Sequence, residues 1–212
     1  MDFCFYLITD RTLAERGRGL EHVLERAVEA GVKGVLLREK DLPDGELMSL
    51  ALRVRDLTAR HGVKLLISGR PDIAVSVGAD GVHLGAGMST ADARRVVGDM
   101  RYVAVSTHSL TEAKEAEDAG ADFITFGPVY YTASKAVYGP PTGVDALREV
   151  CGALHIPVFA LGGITTENAM EAMHSGAYGL AVISAVIGAD DPAAAVRGII
   201  NSIRTYKLGR VV

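Results

Sequence analysis

The chain has 212 residues, of which 49% are hydrophobic and 23% are charged, and its formal net charge is −4. This size allows one large core, and the acidic balance excludes the basic face that nucleic acids and anionic membranes require. No apolar run reaches membrane-spanning length, and Asp10 and Arg11 interrupt the first one, so a cytoplasmic, soluble protein without a signal segment is expected.

A similar junction recurs four times along the chain and predicts alternating helices and strands. At residues 30–35, 77–82, 119–124 and 175–180, a segment of helical periodicity ends at a glycine, and a short apolar run follows at once. The glycine can supply the left-handed conformation that ends a helix. The chain then turns directly into a buried strand.

Eight short apolar strands follow from these junctions. Their near-continuous apolar runs are typical of parallel strands that helices cover. The predicted starts are Phe3, Lys33, Lys64, Gly81, Tyr102, Phe123, Val158 and Gly179. Helices are predicted between them at Glu21–Ala30, Gly45–His61, Ser109–Ala119, Gly143–Ala153 and Thr166–Ser175, with a last one after Pro192. Four residues are predicted helix caps, namely Asp44, Ser89, Ser109 and Thr166.

Eight β/α units permit a closed barrel or an open doubly wound sheet. The first strand is followed by Thr9-Asp10-Arg11 and not by a glycine-rich dinucleotide turn, which favours the barrel. No linker or low-complexity stretch divides the chain. We therefore predict an α/β fold, a single-domain (β/α)8 TIM barrel over residues 1–212, with its chemistry at the C-terminal ends of the strands.

Strand ends seven and eight carry Gly162-Gly163 and Ile183-Ser184. In barrels this location commonly forms a phosphate site from main-chain N–H groups and a helix N-terminus, and Ser184 can add a hydroxyl. The alternative is that Gly162-Gly163 is only a tight turn. We favour phosphate binding because the position and the donors coincide.

Positive side chains follow the second strand, where Arg38 and Lys40 stand two residues apart and point to one side. Two cations so placed suit a pyrophosphate or a carboxylate, although pairing with Glu39 or Asp41 is the structural alternative. Residues 131–135 read as a lid that carries hydroxyls and the cation of Lys135.

His108 is the candidate acid–base residue. It follows the fifth strand and precedes a capping serine, so its ring is expected to overhang the barrel mouth. A structural histidine is the alternative at this position. His83 is expected to face the barrel interior in a hydrogen-bonded core role.

The segments Tyr6–Asp10, Leu37–Lys40, Gly78–Gly85, Ser106–Ser109, Gly127–Tyr130, Thr132–Lys135 and Gly162–Asn168 together resemble the thiamine-phosphate synthase superfamily, which includes a thiazole tautomerase (TenI-type) branch. The match keeps the order of the motifs and spans nearly the whole chain. In the synthases, a pyrimidine pyrophosphate is joined to a thiazole phosphate with Mg²⁺ on the pyrophosphate. The resemblance implies anion contacts at Arg38, Lys40, Thr132, Ser134 and Lys135.

Three features of this chain depart from the synthase pattern. The glutamine before the Leu-Arg-Glu-Lys run is Leu36, the asparagine–aspartate pair after the third strand is Ser68-Gly69, and the acidic ligand after His-Leu-Gly is Met88. Mg²⁺ requires hard oxygen ligands, and both matching carboxylates are missing. Asp10, Glu39 or Asp41 remain as possible substitutes.

The tautomerase branch needs no metal, so the sequence favours a thiazole tautomerase that moves a proton to aromatise a carboxythiazole phosphate. The resemblance then implies His108 as the proton shuttle, with Gly163, Ile183 and Ser184 on the phosphate and no metal or other cofactor. The alternatives are an Mg²⁺-dependent synthase and a non-catalytic ligand-responsive regulator. The expected partner is a small phosphorylated thiazole, and the resemblance suggests a homodimer or higher assembly.

Overall fold

A computed structural model describes residues 1–14, 19–85, 87–132 and 139–209 of the chain. Eight parallel strands in these ranges form a closed barrel in sequence order, and the last strand pairs with the first. Helices alternate with the strands along the chain. The predicted TIM barrel is therefore confirmed.

The strands are β1 (Phe5–Ile8), β2 (Gly34–Leu37), β3 (Lys64–Ser68), β4 (Gly81–Leu84), β5 (Tyr102–Thr107), β6 (Phe123–Phe126), β7 (Val158–Leu161) and β8 (Gly179–Val182). The helices in the described ranges are α1 (Arg11–Ala14), α2 (Leu20–Glu29), α3 (Asp44–Arg60), α4 (Pro71–Ser76), α5 (Thr90–Val97), α6 (Leu110–Asp118), α7 (Gly143–Ala153), α8 (Ala169–His174), α9 (Ser184–Ile187) and α10 (Pro192–Leu208).

Six strands begin at the predicted residue, whereas β2 begins one residue late and β1 begins at Phe5 and not at Phe3. Phe3 lies before the strand because its ring plugs the N-terminal end of the barrel. The ring centroid lies 5.5 Å from that of Tyr6 and 5.6 Å from that of Phe159. The plug fits over Gly34, where a Cβ atom would lie only 2.5 Å from the Phe3 ring.

The glycines of the four predicted junctions all end helices in the left-handed region. Gly31, Gly78, Gly120 and Gly176 have φ angles between +64° and +115°. Each lies between a helix and the strand that follows within a few residues. The junction pattern was therefore read correctly, because its physical cause is local.

Two of the four predicted helix caps are confirmed. The hydroxyls of Ser89 and Ser109 accept hydrogen bonds from the main-chain N–H groups of Asp92 and Glu112. The prediction for Asp44 was wrong because Pro43 occupies the cap position of α3. The prediction for Thr166 was wrong because the turn before α8 continues to Asn168.

Two apolar layers hold the barrel together. Side chains that point outward pack under the helices, and those that point inward form a separate, largely aromatic cluster. In the inner cluster, the rings of Phe123 and Phe159 lie 5.3 Å apart by their centroids, and Tyr6 packs against both. Because this cluster fills the lower barrel, the barrel interior is open to ligands from its C-terminal mouth.

Asp80 joins three elements at the N-terminal end of the barrel. Its carboxylate accepts hydrogen bonds from Arg55 at 2.7 Å, from Lys64 at 3.0 Å and from the main-chain N–H of Leu65 at 3.0 Å. Burial opposes ionisation, but these donors outweigh it and hold the pKa of Asp80 below its usual value. The cluster therefore reads as a stabilising contact at the end opposite the mouth.

In the ranges that the structure describes, none of the helices combines the length and the apolar character that crossing a bilayer requires.

Candidate active site

The C-terminal ends of β7 and β8 lie side by side, because the two strands are paired in the barrel. Gly163 is half-buried and Ser184 is exposed. Among the described residues, the main-chain N–H groups of Gly163 and Ser184 have no hydrogen-bond acceptor. The Ser184 hydroxyl also has no hydrogen-bond partner among these residues. These strand ends therefore present N–H and O–H groups that can donate hydrogen bonds to an anion.

The loop after β7 is held in a fixed shape by Asn168. Its side-chain amide donates to the Gly163 carbonyl at 2.8 Å, and its side-chain oxygen accepts from the Thr165 N–H at 2.8 Å. Gly163 has φ +64°, and a Cβ atom there would lie 2.6 Å from the Tyr131 carbonyl oxygen. The loop after β6 passes directly over this glycine, so no larger residue fits.

Tyr130 fastens the loop after β6 to α8. Its hydroxyl donates to the Glu171 carboxylate at 2.8 Å. Burial and the neighbouring carboxylate raise the pKa of Tyr130 well above its usual value, so the phenol stays protonated. The ring of Tyr131, by contrast, is 70% exposed.

Arg38 stands at the end of β2, where alternation from the inward-facing Leu36 directs it toward the barrel axis. Its side chain is half-buried, and no carboxylate of the described residues pairs with it. Lys40 is exposed in the loop that follows. This end of β2 therefore offers a cation at the mouth.

Among the described residues, Arg38 does not form the alternative ion pair with Glu39 or Asp41. Glu39 is buried and accepts hydrogen bonds from the Thr9 hydroxyl and the Arg11 main-chain N–H. Asp41 forms an ion pair with the Arg11 side chain. Both carboxylates thus tie the loops after β1 and β2 together.

A buried polar chain crosses the barrel just below the mouth. The Tyr6 hydroxyl lies 3.2 Å from His83 Nδ1, and His83 Nε2 lies 2.9 Å from the Ser106 hydroxyl. Thr125 also approaches His83 Nε2, at 3.4 Å. Burial, with a smaller contribution from the charge of Arg38, lowers the pKa of His83 to about 3, so the ring is neutral. The predicted core role of His83 is confirmed.

His108 lies exposed just beyond β5, as predicted. Its ring Nδ1 is hydrogen-bonded to the Gly127 carbonyl, which fixes the ring against the end of β6. Its main-chain N–H donates to the Glu112 carboxylate at 2.7 Å, and the Glu112 N–H in turn donates to the hydroxyl of the cap residue Ser109. Its ring is therefore held in place with Nε2 as the nitrogen left for a ligand.

The lid candidates are only partly described. Thr132 is half-buried at the end of a described range, and Ser134 and Lys135 lie outside the described residues. Ser106 was not predicted as a site residue, although it stands two positions after the inward-facing Ala104. Strand alternation was the signal that places its hydroxyl at the mouth.

The donors at the mouth do not fit a magnesium ion. In the described ranges, no three His, Cys, Asp or Glu side chains come together as a metal site. Of the possible substitutes, Asp10 caps α1 through Thr12, and Glu39 and Asp41 are engaged as above. Mg²⁺ requires hard oxygen ligands. Of the side chains that depart from the synthase pattern, only that of Ser68 carries an oxygen.

Comparisons with known proteins agree with one another. The family model described as thiamine monophosphate synthase (TMP-TENI) matches residues 5–186. A Geobacter sulfurreducens protein named "Putative thiamine-phosphate synthase" is 52% identical over 201 residues, which cover 94% of each chain. The thiamine-phosphate synthase of Chloroflexus aurantiacus is 42% identical over 198 residues, covering 93% of this chain and 91% of the relative.

A solved structure agrees with these relatives. The thiamine phosphate pyrophosphorylase of Pyrococcus furiosus superposes with a TM-score of 0.87 at 33% identity and covers 96% of each chain. Solved structures of 3-hexulose-6-phosphate synthases share only the barrel, at 16–17% identity.

The choice of a thiazole tautomerase, an isomerase, over a synthase was wrong, because the similar proteins are named as synthases. The error has a physical reason. Missing carboxylates remove ligands for a metal, but they do not create a group that transfers protons. His108 was no evidence for either branch, because the same motif occurs in both. The matched length and the identity of these relatives lead to one conclusion: the chain belongs to the thiamine monophosphate synthase (TMP-TENI) family.

Proposed function

We propose that the chain is a transferase of the thiamine-phosphate synthase type, which joins a pyrimidine pyrophosphate to a thiazole phosphate. In this reaction the thiazole nitrogen forms a bond to the pyrimidine methylene carbon, and the bond from that carbon to the pyrophosphate oxygen breaks. The nitrogen uses its own lone pair, so the coupling needs no proton transfer. The observation that supports this function is the pair of strand ends β7 and β8, whose unbonded N–H groups suit a phosphate.

The two substrates would use different parts of the mouth. In this proposal Gly163, Ile183 and Ser184 hold the thiazole phosphate. Arg38 and Lys40, on the other side of β1 from β8, hold the pyrophosphate. Thr132, Ser134 and Lys135 are proposed as further anion contacts, and His108 as a contact to the substrate at the rim.

The family resemblance implies Mg²⁺ on the pyrophosphate, but the donor set of the described residues does not fit a protein-held ion. We therefore derive the binding from side chains and main-chain amides only. In the reaction, the positive charge of Arg38 would stabilise the pyrophosphate as negative charge develops on its leaving oxygen.

The test is direct coupling of the two substrates by the purified chain. We expect thiamine phosphate and pyrophosphate to form in equal amounts, measured by chromatography. Ser184→Ala should raise the KM for thiazole phosphate about tenfold, because one hydrogen bond to a charged group is lost. The control is Ser76→Ala on α4, whose hydroxyl bonds only its own helix. A folded protein that binds thiazole phosphate but forms no product at any Mg²⁺ concentration would refute the proposal.

We also propose a homodimer or higher assembly, which rests on the family resemblance alone. Light scattering of the purified chain tests it, and a monomer at micromolar concentration would refute it.

A further inference from the structure

Gly69 and Met88 face each other at the mouth. Gly69 follows β3, and Met88 lies in the loop after β4, the neighbouring strand. A Cβ atom placed on Gly69 would lie 3.5 Å from Met88 Sδ, and Met88 is 41% exposed. These are the two positions at which the family pattern has its carboxylates. In this chain the thioether of Met88 and a glycine without a side chain stand in place of those carboxylates.

Among the described residues, no other group of acids takes over this position. Asp10, Glu39 and Asp41 are engaged as described, and Asp44 and Asp72 both pair with Arg70. The residues outside the described ranges contain a single acid, Glu15, and no histidine or cysteine. One carboxylate is too few for a resident divalent ion, which needs several hard ligands.

A cation of the chain itself is available at the same opening. Arg38 is half-buried, and its charge is close enough to His83 to lower the pKa of that ring. The guanidinium is always charged, presents several donors and forms strong hydrogen bonds to phosphate oxygens. It has no carboxylate partner among the described residues.

We propose that the pyrophosphate site of this chain works without a divalent ion held by protein side chains, and that Arg38 provides the counter-charge at the Gly69–Met88 contact. This inference deepens the proposed function and rests on it for the identity of the ligand. It predicts that a pyrophosphate group binds to the protein when metal is removed.

Titration calorimetry with inorganic pyrophosphate in the presence of a chelator tests the first half. Binding is expected without metal, and added Mg²⁺ should not tighten it. Arg38→Ala should weaken binding about tenfold or more, and Arg38→Lys should weaken it less. The control is Lys33→Ala, which removes one positive charge just before the opposite end of β2. Binding that requires Mg²⁺, or no binding in either condition, overturns the proposal.

A gain of function tests the second half. Gly69→Asp combined with Met88→Asp should create a site for Mn²⁺, seen as a loss of the free-ion paramagnetic resonance signal, at least about tenfold tighter than any binding to the original chain. Aspartate tolerates the φ of +66° at residue 69 better than most residues. The matched control is Gly69→Asn with Met88→Asn, because asparagine has nearly the same size as aspartate but no charge. Stoichiometric Mn²⁺ binding by the unaltered chain overturns the proposal.

The two proposals fail in different ways. If the chain binds pyrophosphate without metal but forms no thiamine phosphate, the proposed function fails and the metal-free anion site stands. If thiamine phosphate forms but pyrophosphate binds only with Mg²⁺, the metal-free site fails and the function stands.

Discussion

The Tyr6 hydroxyl lies 3.2 Å from His83 Nδ1 inside the barrel, where both side chains are buried. We assign the Tyr6 O–H as the donor to this nitrogen, which places the ring proton on Nε2. Nε2–H then donates to the Ser106 hydroxyl at 2.9 Å. The Thr125 hydroxyl also approaches the Ser106 oxygen, at 3.5 Å.

This arrangement predicts a specific dependence of stability on pH. The pKa of His83 is lowered to about 3 in the folded chain, whereas an unfolded histidine titrates near 6.5. Below pH 6.5 the unfolded chain binds a proton that the folded chain does not. Stability from this group is therefore complete above pH 6.5 and falls as pH drops toward 3, by about 1.4 kcal/mol per pH unit.

Urea unfolding at pH 7 and pH 5 measures this effect. The unaltered chain should lose about 2 kcal/mol more on acidification than His83→Gln, which cannot titrate. The same loss in both proteins would show that His83 takes up a proton as readily in the folded chain as in the unfolded chain, which contradicts a lowered pKa. Nitrogen NMR of the ring provides an independent check, with the proton expected on Nε2.

His108→Ala is expected to lower the turnover number by no more than about tenfold. The proposed coupling reaction needs no proton transfer. The substitution therefore removes only a substrate contact at the rim and the hydrogen bond between the ring and the Gly127 carbonyl. Steady-state kinetics measure the change. A loss of about 10²- to 10⁴-fold would indicate general acid–base catalysis and contradict this account.

Gly163→Ala is expected to abolish binding of thiazole phosphate, because the new methyl group would collide with the Tyr131 carbonyl and displace the loop. Gly62→Ala is the matched control, since Gly62 has nearly the same φ, +62°, but nothing within 4 Å of its Cβ position. The control should lose about 1 kcal/mol of unfolding free energy and keep its affinity. Equal loss of affinity in both variants would argue against a cradle at Gly163.

Asp80→Ala is expected to lower the unfolding free energy by about 3 kcal/mol, because it leaves Arg55, Lys64 and the Leu65 N–H without their shared acceptor. Chemical denaturation measures the loss. Pyrophosphate affinity should not change, since Asp80 lies at the end of the barrel opposite the mouth. A change in affinity would mean that the two ends of the barrel are coupled.

Features with a local cause were predictable from the sequence. The left-handed glycine at Gly78 and the cap at Ser109 follow from conformational preferences of a few neighbouring residues, and both are found. The alternation of helices and strands followed from the repeated junction. For the same reason, the position of Arg38 at the end of β2 was correct to the residue.

Features that depend on distant contacts were missed. Phe3 was wrongly assigned to the first strand. Its true position depends on the fit of its ring over Gly34, which lies in a distant segment of the chain. His83, the hydrogen-bond partner of Ser106, is 23 residues away in the sequence. The residues around Ser106 therefore do not reveal that its hydroxyl belongs to the buried polar chain. The branch of the family was missed for another reason, since absent ligands at residues 69 and 88 do not specify a chemistry.

The two hydrogen bonds of Asn168 give the loop after β7 its curvature before any ligand arrives. Under the proposed function, a phosphate would meet a loop whose shape is already fixed by these bonds, so that little chain entropy would be lost on association. Less of the free energy of the N–H contacts would then be offset by the cost of ordering the loop. In that proposal, a small number of main-chain donors is enough to hold a phosphate group on a protein whose formal net charge is −4.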